Sequence, residues 1–143
     1  MLLVAALLVS FFVLVFSELR RKAGGLVNVE TSEAVRLINN DGLVIDIRSS
    51  DAFARGHIVN AKNIPTDELD AKMSQIEKFK AKPIVAVCDN GITATKTVTT
   101  LRNAGFESVY NLKGGMNGWT QAGLPVVTGK KTRSKANKQK KKG

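Results

Sequence analysis

Cysteine and histidine each occur only once in this chain of 143 residues, as Cys88 and His57. A single cysteine excludes an internal disulfide, and a lone thiol suits a reducing compartment better than an oxidising one. One thiol and one imidazole are also too few soft ligands for a typical metal site, so we expect neither a metal ion nor a cofactor. The length allows one compact domain and is short for two.

Acidic residues are absent from the C-terminal end, where most of the formal net charge of +10 lies. Lys130–Gly143 carries eight Lys or Arg residues, whereas the eleven basic residues of Ala23–Gly129 are balanced by eleven acidic ones. The neutral domain gives no support to nucleic-acid binding. We expect residues 128–143 to be a disordered basic tail. Simple solvation and contact with anionic lipid both stay open for it.

Charged residues are also absent from the first 17 positions, where Met1–Phe16 is apolar except for Ser10. At about 1.5 Å per residue, residues 1–17 are at the short end of what spans about 30 Å of hydrocarbon. A cleaved signal peptide needs preceding basic residues and a small-residue cleavage site, and a core helix needs a polar face. The sequence has none of these features, so it predicts a single transmembrane anchor.

Basic residues follow the anchor at once, at Arg20, Arg21 and Lys22. By the positive-inside rule they place the following domain in the cytoplasm, so we expect a single-pass membrane protein. Residues 18–27 then form a basic juxtamembrane linker whose Ala23-Gly24-Gly25 is flexible. Because no residue precedes the apolar run, a natural start upstream of Met1 stays open.

Residues 28–127 alternate between strand and helix patterns. Strands are predicted at Leu43–Ile47, Ala61–Ile64, Pro83–Cys88 and Ser108–Leu112. Helices are predicted after a cap at Thr31 or Ser32, from Ser49 to a stop at Gly56, from a cap at Thr66 to Lys80, from Thr93 to a C-cap at Gly105, and after the Gly114-Gly115 turn. This alternation indicates an α/β fold with an open parallel sheet and helices on both faces, preceded by one N-terminal transmembrane helix.

Cys88 ends the predicted central strand, and a helix begins about six residues later. Ligands of open parallel sheets bind beyond the carboxyl ends of the strands. A loop folded over the helix start directs backbone N–H groups from Asp89 to Ala94 at the sulfur and favours a thiolate. Gly91 allows the tight backbone that such a loop needs. A small buried residue at a strand end remains the alternative for Cys88.

Two chemistries use a cysteine in such a loop. Phosphoryl transfer requires an arginine five residues after the cysteine, and that position is Thr93, so the loop excludes a phosphatase. Sulfur transfer requires only a thiolate and backbone N–H groups that hold the persulfide through hydrogen bonds. Asp89 counts against activation, because a carboxylate disfavours a neighbouring thiolate and repels anionic donors.

Two longer stretches then point to a family. VIDIRSSDAFARGHIVNAKNIP has an Asp-x-Arg strand end, Gly-His-Ile and Ala-x-Asn-Ile-Pro, and CDNGITATKTVTTLRNAGFESVYNLKGGMNGW has Cys-x-x-Gly, Leu-Arg-x-x-Gly-Phe and Gly-Gly-x-x-x-Trp. Together they resemble the rhodanese-like (sulfurtransferase) family from about Asn28 to Val127. The whole arrangement is similar to bacterial membrane-anchored single-domain rhodanese-like proteins.

The resemblance implies that Cys88 is the catalytic residue, carrying sulfur as a persulfide from thiosulfate or a persulfide donor to a thiol acceptor. It also implies that the following loop binds the substrate, through Asp89, Asn90, Gly91, Ile92, Thr93 and Ala94. Many active members have a basic residue in this loop, where the present chain has Asp89 and Thr93. Asp89 therefore makes a persulfide more compatible than thiosulfate. A catalytically quiet fold that serves as a membrane-tethered binding module is the alternative.

Four further residues are expected to be structural. Asp46 and Arg48 form a predicted ion pair that braces the strand end, with contact to substrate as the alternative. His57 lies in a turn without a spacing that ties it to Cys88. Trp119 is expected to pack in the core or over the site.

Overall fold

The computed structural model describes residues 1–23 and 27–129, and it describes side chains from residue 1 to 19 and from 27 to 129. The helices are α1 (Leu2–Ala23), α2 (Thr31–Asn39), α3 (Ser50–Arg55), α4 (Leu69–Lys72), α5 (Ala94–Asn103) and α6 (Gly115–Gln121). The strands are β1 (Asn28–Val29), β2 (Leu43–Asp46), β3 (Lys62–Asn63), β4 (Ile84–Val87) and β5 (Val109–Leu112). Two 3₁₀ segments, Thr66–Glu68 and Met73–Phe79, flank α4.

The strands form one five-stranded sheet in the order β1-β5-β4-β2-β3, and every pair in it is parallel. β4 is central, with Ala86 opposite Ile45 on one side and Asn111 on the other. The predicted open parallel sheet is therefore confirmed. β2 and β4 are buried throughout because both faces of the sheet are covered.

Helices pack on both faces of the sheet, as the sequence predicts. One core joins alternate residues of β2 and β4, such as Ile45 and Ala86, to α4, the second 3₁₀ segment and α5. The other joins Val44 and Val85 to α2, α3 and α6, where Trp119 is buried. Because side chains alternate along β4, Cys88 faces the first of these cores.

Several predicted helix boundaries are confirmed and others are wrong. Ser49 caps α3, since its Oγ accepts a hydrogen bond from the backbone N–H of Ala52 at 3.2 Å. The N-cap of α2 is Glu30 rather than Thr31 or Ser32: its backbone is extended and its carbonyl accepts from Ala34 N. Thr66 is also not a cap, because the preceding Pro65 takes that position. α5 ends on Ala104 as C-cap, one residue before the predicted Gly105.

Residues 66–79 do not form the continuous α-helix that the sequence predicts. They form a 3₁₀ turn, one turn of α-helix and a longer 3₁₀ segment. Met73, Ile76 and Phe79 recur every three residues, which matches the three residues per turn of a 3₁₀-helix. Ile76 is fully buried, and Met73 and Phe79 pack against the same core. Packing of this spacing against the sheet is the physical reason for the difference.

No residue of α1 is buried over Leu2–Leu19, a stretch long and apolar enough to cross a membrane. A signal sequence near an N-terminus has the same length and composition, so α1 fits either role. The helix continues through the basic residues to Ala23, and the first part of the predicted linker is therefore helical. Gly24, Gly25 and the basic tail from Lys130 lie outside the described residues.

Candidate active site

Cys88 is the first residue after β4, at the carboxyl edge of the central strand. Its side chain is only 4% exposed. The neighbouring strand β2 ends next to it, and the backbone N–H of Ile47 donates to the carbonyl of Val87 at 2.9 Å. The parallel sheet thus brings the residues after β2 and those after β4 to the same edge, where ligands of such sheets bind.

The loop after Cys88 curls back on the sulfur. The backbone N–H of Gly91 donates to Cys88 Sγ at 3.0 Å, and it is the one amide among the described residues with that hydrogen bond. The next amide, that of Ile92, donates instead to Asn90 Oδ1 at 3.2 Å. Several N–H groups from Asp89 to Ala94 were expected to point at the sulfur. Among the described residues, only the N–H of Gly91 makes a hydrogen bond to it. A hydrogen bond from an amide stabilises a thiolate relative to a thiol.

Gly91 is required by both its conformation and its surroundings. Its φ is +84°, in the left-handed region. A Cβ at this position would lie 2.6 Å from the backbone nitrogen of Gly114 and 2.9 Å from the carbonyl oxygen of Leu112. Any other residue would therefore push the loop away from β5 and move the amide that meets the sulfur.

Asn111 on β5 binds the same loop through its side-chain amide. Its side chain is 1% exposed, and Nδ2 donates to the carbonyl of Gly91 at 2.6 Å and to Asn28 Oδ1 at 2.7 Å. Its own Oδ1 is buried without a hydrogen-bond partner among the described residues. Leaving such an oxygen unsatisfied lowers stability, whereas the two hydrogen bonds from Nδ2 tie the loop to β5 and β1.

The start of α6 fixes the loop from the other side. The backbone N–H groups of Met116 and Asn117 donate to the carbonyls of Cys88 and Asp89, at 2.8 and 3.0 Å. Gly115, the residue before Met116, faces the same loop, and a Cβ there would come within 2.8 Å of the carbonyl carbon of Asp89. The predicted glycine turn therefore allows two backbones to approach closely.

A cavity of about 160 Å³ opens beside the sulfur. It is lined by Ile47, Arg48, Cys88, Asp89, Asn90 and Thr93. Four of the seven residues predicted for the site line this cavity, and Gly91 adds its amide. Ile92 is 72% exposed and Ala94 is fully buried in the core, and neither lines the cavity.

The sequence analysis favoured a structural role for Arg48 over contact with substrate, and the structure places this residue in the cavity wall. It forms the expected ion pair, with Nε 3.0 Å from Asp46 Oδ1 and Nη2 2.7 Å from Asp46 Oδ2, and Nη2 also donates to the carbonyl of Gly56 at 2.7 Å. Its third nitrogen, Nη1, lies 3.7 Å from Asp89 Oδ1. The signal was present: Arg48 follows β2, and the two strand ends lie side by side.

The charge of Arg48 is secured by its neighbours. Burial by itself lowers the pKa of this guanidinium, but its hydrogen bonds with Asp46 and the negative charges of Asp46 and Asp89 raise that pKa overall. The side chain of Arg48 is 10% exposed and that of Asp46 is 1% exposed. Asn63 Nδ2 donates to the backbone carbonyls of both residues, at 3.1 and 2.9 Å. Arg48 is therefore a fixed cation in the cavity wall.

The other residues expected to be structural lie away from the cavity. His57 is fully buried, its Nδ1 lies 2.7 Å from the carbonyl oxygen of Phe53, and its ring stacks on that of Phe53 at 3.6 Å. Trp119 is buried and donates from Nε1 to the carbonyl of Pro125 at 3.0 Å. Within the described residues no cluster of His, Cys, Asp or Glu is suited to a metal ion.

Comparison with known proteins agrees with this architecture. The family model described as rhodanese-like domain matches residues 30–122. The uncharacterized protein YibN of Escherichia coli strain K12 is 38% identical over 127 residues, which is 87% of each chain. Thiosulfate sulfurtransferase GlpE of Actinobacillus pleuropneumoniae is 29% identical over 101 residues, covering 70% of this chain and 92% of GlpE.

A solved structure extends the agreement. The polysulfide-sulfur transferase homodimer from Wolinella succinogenes superimposes with a TM-score of 0.62 and 28% identity, over 90% of this chain and 95% of that one. The sheet order, the cysteine after the central strand and the match over residues 30–122 lead to the same conclusion. This chain belongs to the rhodanese-like domain family.

Proposed function

We propose that the protein is a sulfurtransferase that carries a sulfane sulfur as a persulfide on Cys88. The observation that carries the proposal is the 3.0 Å hydrogen bond from Gly91 N to Cys88 Sγ at the base of a cavity. The similarity to a thiosulfate sulfurtransferase and to a polysulfide-sulfur transferase supports it. A donor such as thiosulfate or a persulfide and a thiol acceptor are the partners that this chemistry requires.

The reaction divides into two displacements at sulfur. The Cys88 thiolate attacks the outer sulfur of the donor, a new S–S bond forms, and the old S–S bond breaks with its electron pair leaving on sulfite or on the donor thiolate. An acceptor thiolate then attacks the outer sulfur of the persulfide and Cys88 leaves as a thiolate. No net oxidation occurs, since the sulfane sulfur keeps its oxidation state, and no cofactor is required.

The loop geometry suits the intermediate. A persulfide is anionic on its outer sulfur, and the Gly91 amide together with the fixed Arg48 cation oppose that charge. The cavity of about 160 Å³ leaves room for one added sulfur and a small donor. Donors and acceptors meet the sulfur through this opening because the rest of Cys88 is buried.

Mass spectrometry of the intact protein tests the proposal. After incubation with thiosulfate or glutathione persulfide, we expect a gain of one sulfur atom that maps to Cys88 and is lost on addition of a thiol acceptor. Cys88→Ser should gain none. The proposal fails if no donor modifies Cys88 while an active rhodanese treated in parallel is modified.

A membrane-tethered binding module is the second candidate, and the position of Asp89 beside the cavity favours it, because this carboxylate opposes anionic donors. Co-purification with wild type and Cys88→Ala separates the two candidates. A module retains its partners in the variant, whereas a sulfurtransferase loses those held through Cys88.

We also propose that α1 anchors the protein in a bacterial inner membrane with the domain in the cytoplasm. The apolar stretch Leu2–Leu19 supports the anchor, and the basic residues that follow it support the orientation. The basic tail 130–143 adds attraction to anionic lipid of about 1 kcal/mol for each Lys or Arg held at the surface.

A further inference from the structure

We infer that Arg48 is the anion contact of the Cys88 cavity and that Asp89 competes with the sulfur donor for it, so that the site selects donors of low negative charge. This inference rests on the proposed sulfurtransferase function and adds the substrate class. It concerns two residues from different strand ends, of which one belongs to the cavity wall and the other to the loop.

The three nitrogens of Arg48 have different roles. Nε and Nη2 are occupied by Asp46 and the carbonyl of Gly56, at distances between 2.7 and 3.2 Å. Nη1 makes no hydrogen bond to a described residue, and its ion-pair partner Asp89 has Oδ1 3.7 Å away. Among the described residues that line the cavity, Arg48 is the one cation. An anion entering the cavity therefore has Nη1 as its available charged partner.

Asp89 is a weak and displaceable partner for this nitrogen. Its side chain is 72% exposed, and a loose ion pair of this kind contributes little stability, about 0–1 kcal/mol. The carboxylate nevertheless stays at the cavity, because the backbone of Asp89 is fixed by the N–H of Asn117 at 3.0 Å. A donor that reaches Arg48 must displace this carboxylate and then remain close to its charge.

The cost to the donor increases with the donor's negative charge. A dianion such as thiosulfate meets twice the repulsion of a monoanion, while a donor without net charge meets little. The same chemistry is available in all three forms: thiosulfate is a dianion, methanethiosulfonate a monoanion and 2-aminoethanethiosulfonate a zwitterion. In each, the Cys88 thiolate attacks the outer sulfur, and the S–S electron pair leaves on sulfite or a sulfinate.

Steady-state kinetics with these three donors and cyanide as acceptor test the inference. In Asp89→Asn we expect KM for thiosulfate to fall about tenfold, KM for the monoanion about threefold, and KM for the zwitterion to stay within about twofold. Because Asp89 acts on binding, kcat should change little. Raising the ionic strength should narrow the difference between donors in the wild type.

Two variants serve as comparisons. Glu107→Gln removes the same charge from an exposed residue before β5, at the opposite edge of the sheet, and should leave all three KM values unchanged. Arg48→Lys keeps the charge beside Asp46, but its single nitrogen cannot also face the cavity. In that background we expect a higher KM for thiosulfate and a gain from Asp89→Asn of less than about threefold. Circular dichroism verifies that Arg48→Lys is folded.

A second measurement does not require turnover. Sulfate should slow alkylation of Cys88 by neutral iodoacetamide, and Asp89→Asn should lower the sulfate concentration needed about tenfold. The inference is overturned if Asp89→Asn lowers KM equally for all donors. It is also overturned if Asp89→Asn lowers KM for thiosulfate as much in the Arg48→Lys background as in the wild type. Absence of any persulfide, with sulfate protection still dependent on Asp89, instead refutes the proposed reaction and retains the anion contact.

Discussion

Asn111 shows how one buried side chain connects the sheet to the reactive loop. Its amide nitrogen lies between the carbonyl of Gly91 and Asn28 Oδ1, while its oxygen has no partner among the described residues. Gly91 accepts this bond on its carbonyl oxygen, and its backbone N–H donates to Cys88 Sγ. We therefore regard Asn111 as a positioning residue for the sulfur site.

Replacing Asn111 should affect both stability and sulfur transfer. In Asn111→Ala the Gly91 carbonyl loses a buried donor, which costs about 1–3 kcal/mol of unfolding free energy. The loop should then hold the Gly91 amide less firmly, and we expect the rate of Cys88 persulfide formation to fall about tenfold, roughly the effect of losing one hydrogen bond. Urea unfolding measures the loss of stability, and quenched time courses with thiosulfate measure the rate of persulfide formation.

Asn28→Ala is the matched comparison, since it removes the other acceptor of the same amide and leaves the Gly91 contact in place. It should lower stability without slowing persulfide formation. Equal slowing in both variants would contradict a positioning role and indicate a general effect of β1–β5 pairing.

The sequence predicted Cys88 and its loop because local signals suffice for them: a strand, a cysteine, a glycine and a helix in order. The role of Arg48 requires more, because it depends on which of three nitrogens Asp46 and Gly56 leave available. Neither residue identity nor spacing specifies that choice. The sequence also did not predict that one loop amide alone would bond the sulfur. The N–H of Ile92 donates to Asn90 Oδ1 instead, a choice that residue identity does not specify.

At the scale of elements, the site is a junction between the β4–α5 loop and the start of α6. The two backbones are so close that Met116 and Asn117 donate to the carbonyls of Cys88 and Asp89. Gly115 has a φ of +56° and leaves no room for a Cβ against Asp89. The glycine pair is therefore needed for contact between elements as well as for a turn.

Gly115→Ala should disrupt this junction. Alanine at positive φ costs about 1–2 kcal/mol, and displacing the Cys88 loop adds about 1–3 kcal/mol. We expect a clear loss of thermal stability and slower persulfide formation at Cys88. Calorimetry and the thiosulfate reaction measure the two losses.

Gly123→Ala separates the two causes. Gly123 has a φ of +71°, but a Cβ there would meet nothing within 4 Å. It should show the conformational cost alone and react with thiosulfate at the wild-type rate. If both variants are equally destabilised and equally reactive, close packing on the loop has no energetic importance.

The order and type of most elements follow from local patterns, and their ends do not. Alternation of strands and helices predicted the parallel sheet, and Ser49 predicted the start of α3. The 3₁₀ segments were missed because a spacing of three or four residues fits both helix types, and packing of Ile76 on the sheet decides between them. Pro65 and Glu30 took caps assigned to hydroxyl residues because capping depends on backbone conformation.

At the scale of the whole molecule, charge and hydrophobicity are separated along the chain. The apolar α1 comes first, the neutral domain lies in the middle and the basic residues follow. This separation could be predicted from the order of residues in the sequence. The position of the tail could not, and it lies outside the described residues.

An arginine in the middle of α1 should prevent anchoring. Val9→Arg places a charge at the centre of Leu2–Leu19 and costs about 2.5–3.5 kcal/mol of membrane insertion. We expect the variant to move from the membrane to the soluble fraction after carbonate extraction. In the wild type, a reporter fused after Gly143 should be active only in its cytoplasmic form.

Ser17→Arg is the comparison, because it adds the same charge at the end of the apolar stretch, where the side chain can reach the interface. It should remain in the membrane. A wild-type mass that lacks residues of α1 would show that α1 is a cleaved signal sequence. A reporter active outside the cytoplasm would contradict the proposed orientation.

The Cys88 cavity is assembled from the ends of β2 and β4 and supported by β5, segments that are far apart in the chain. No partly folded chain that lacks one of these strand pairings contains Arg48, the Gly91 amide and the thiol together. Reactivity toward a sulfur donor should therefore emerge at the end of folding, with the last strand pairing.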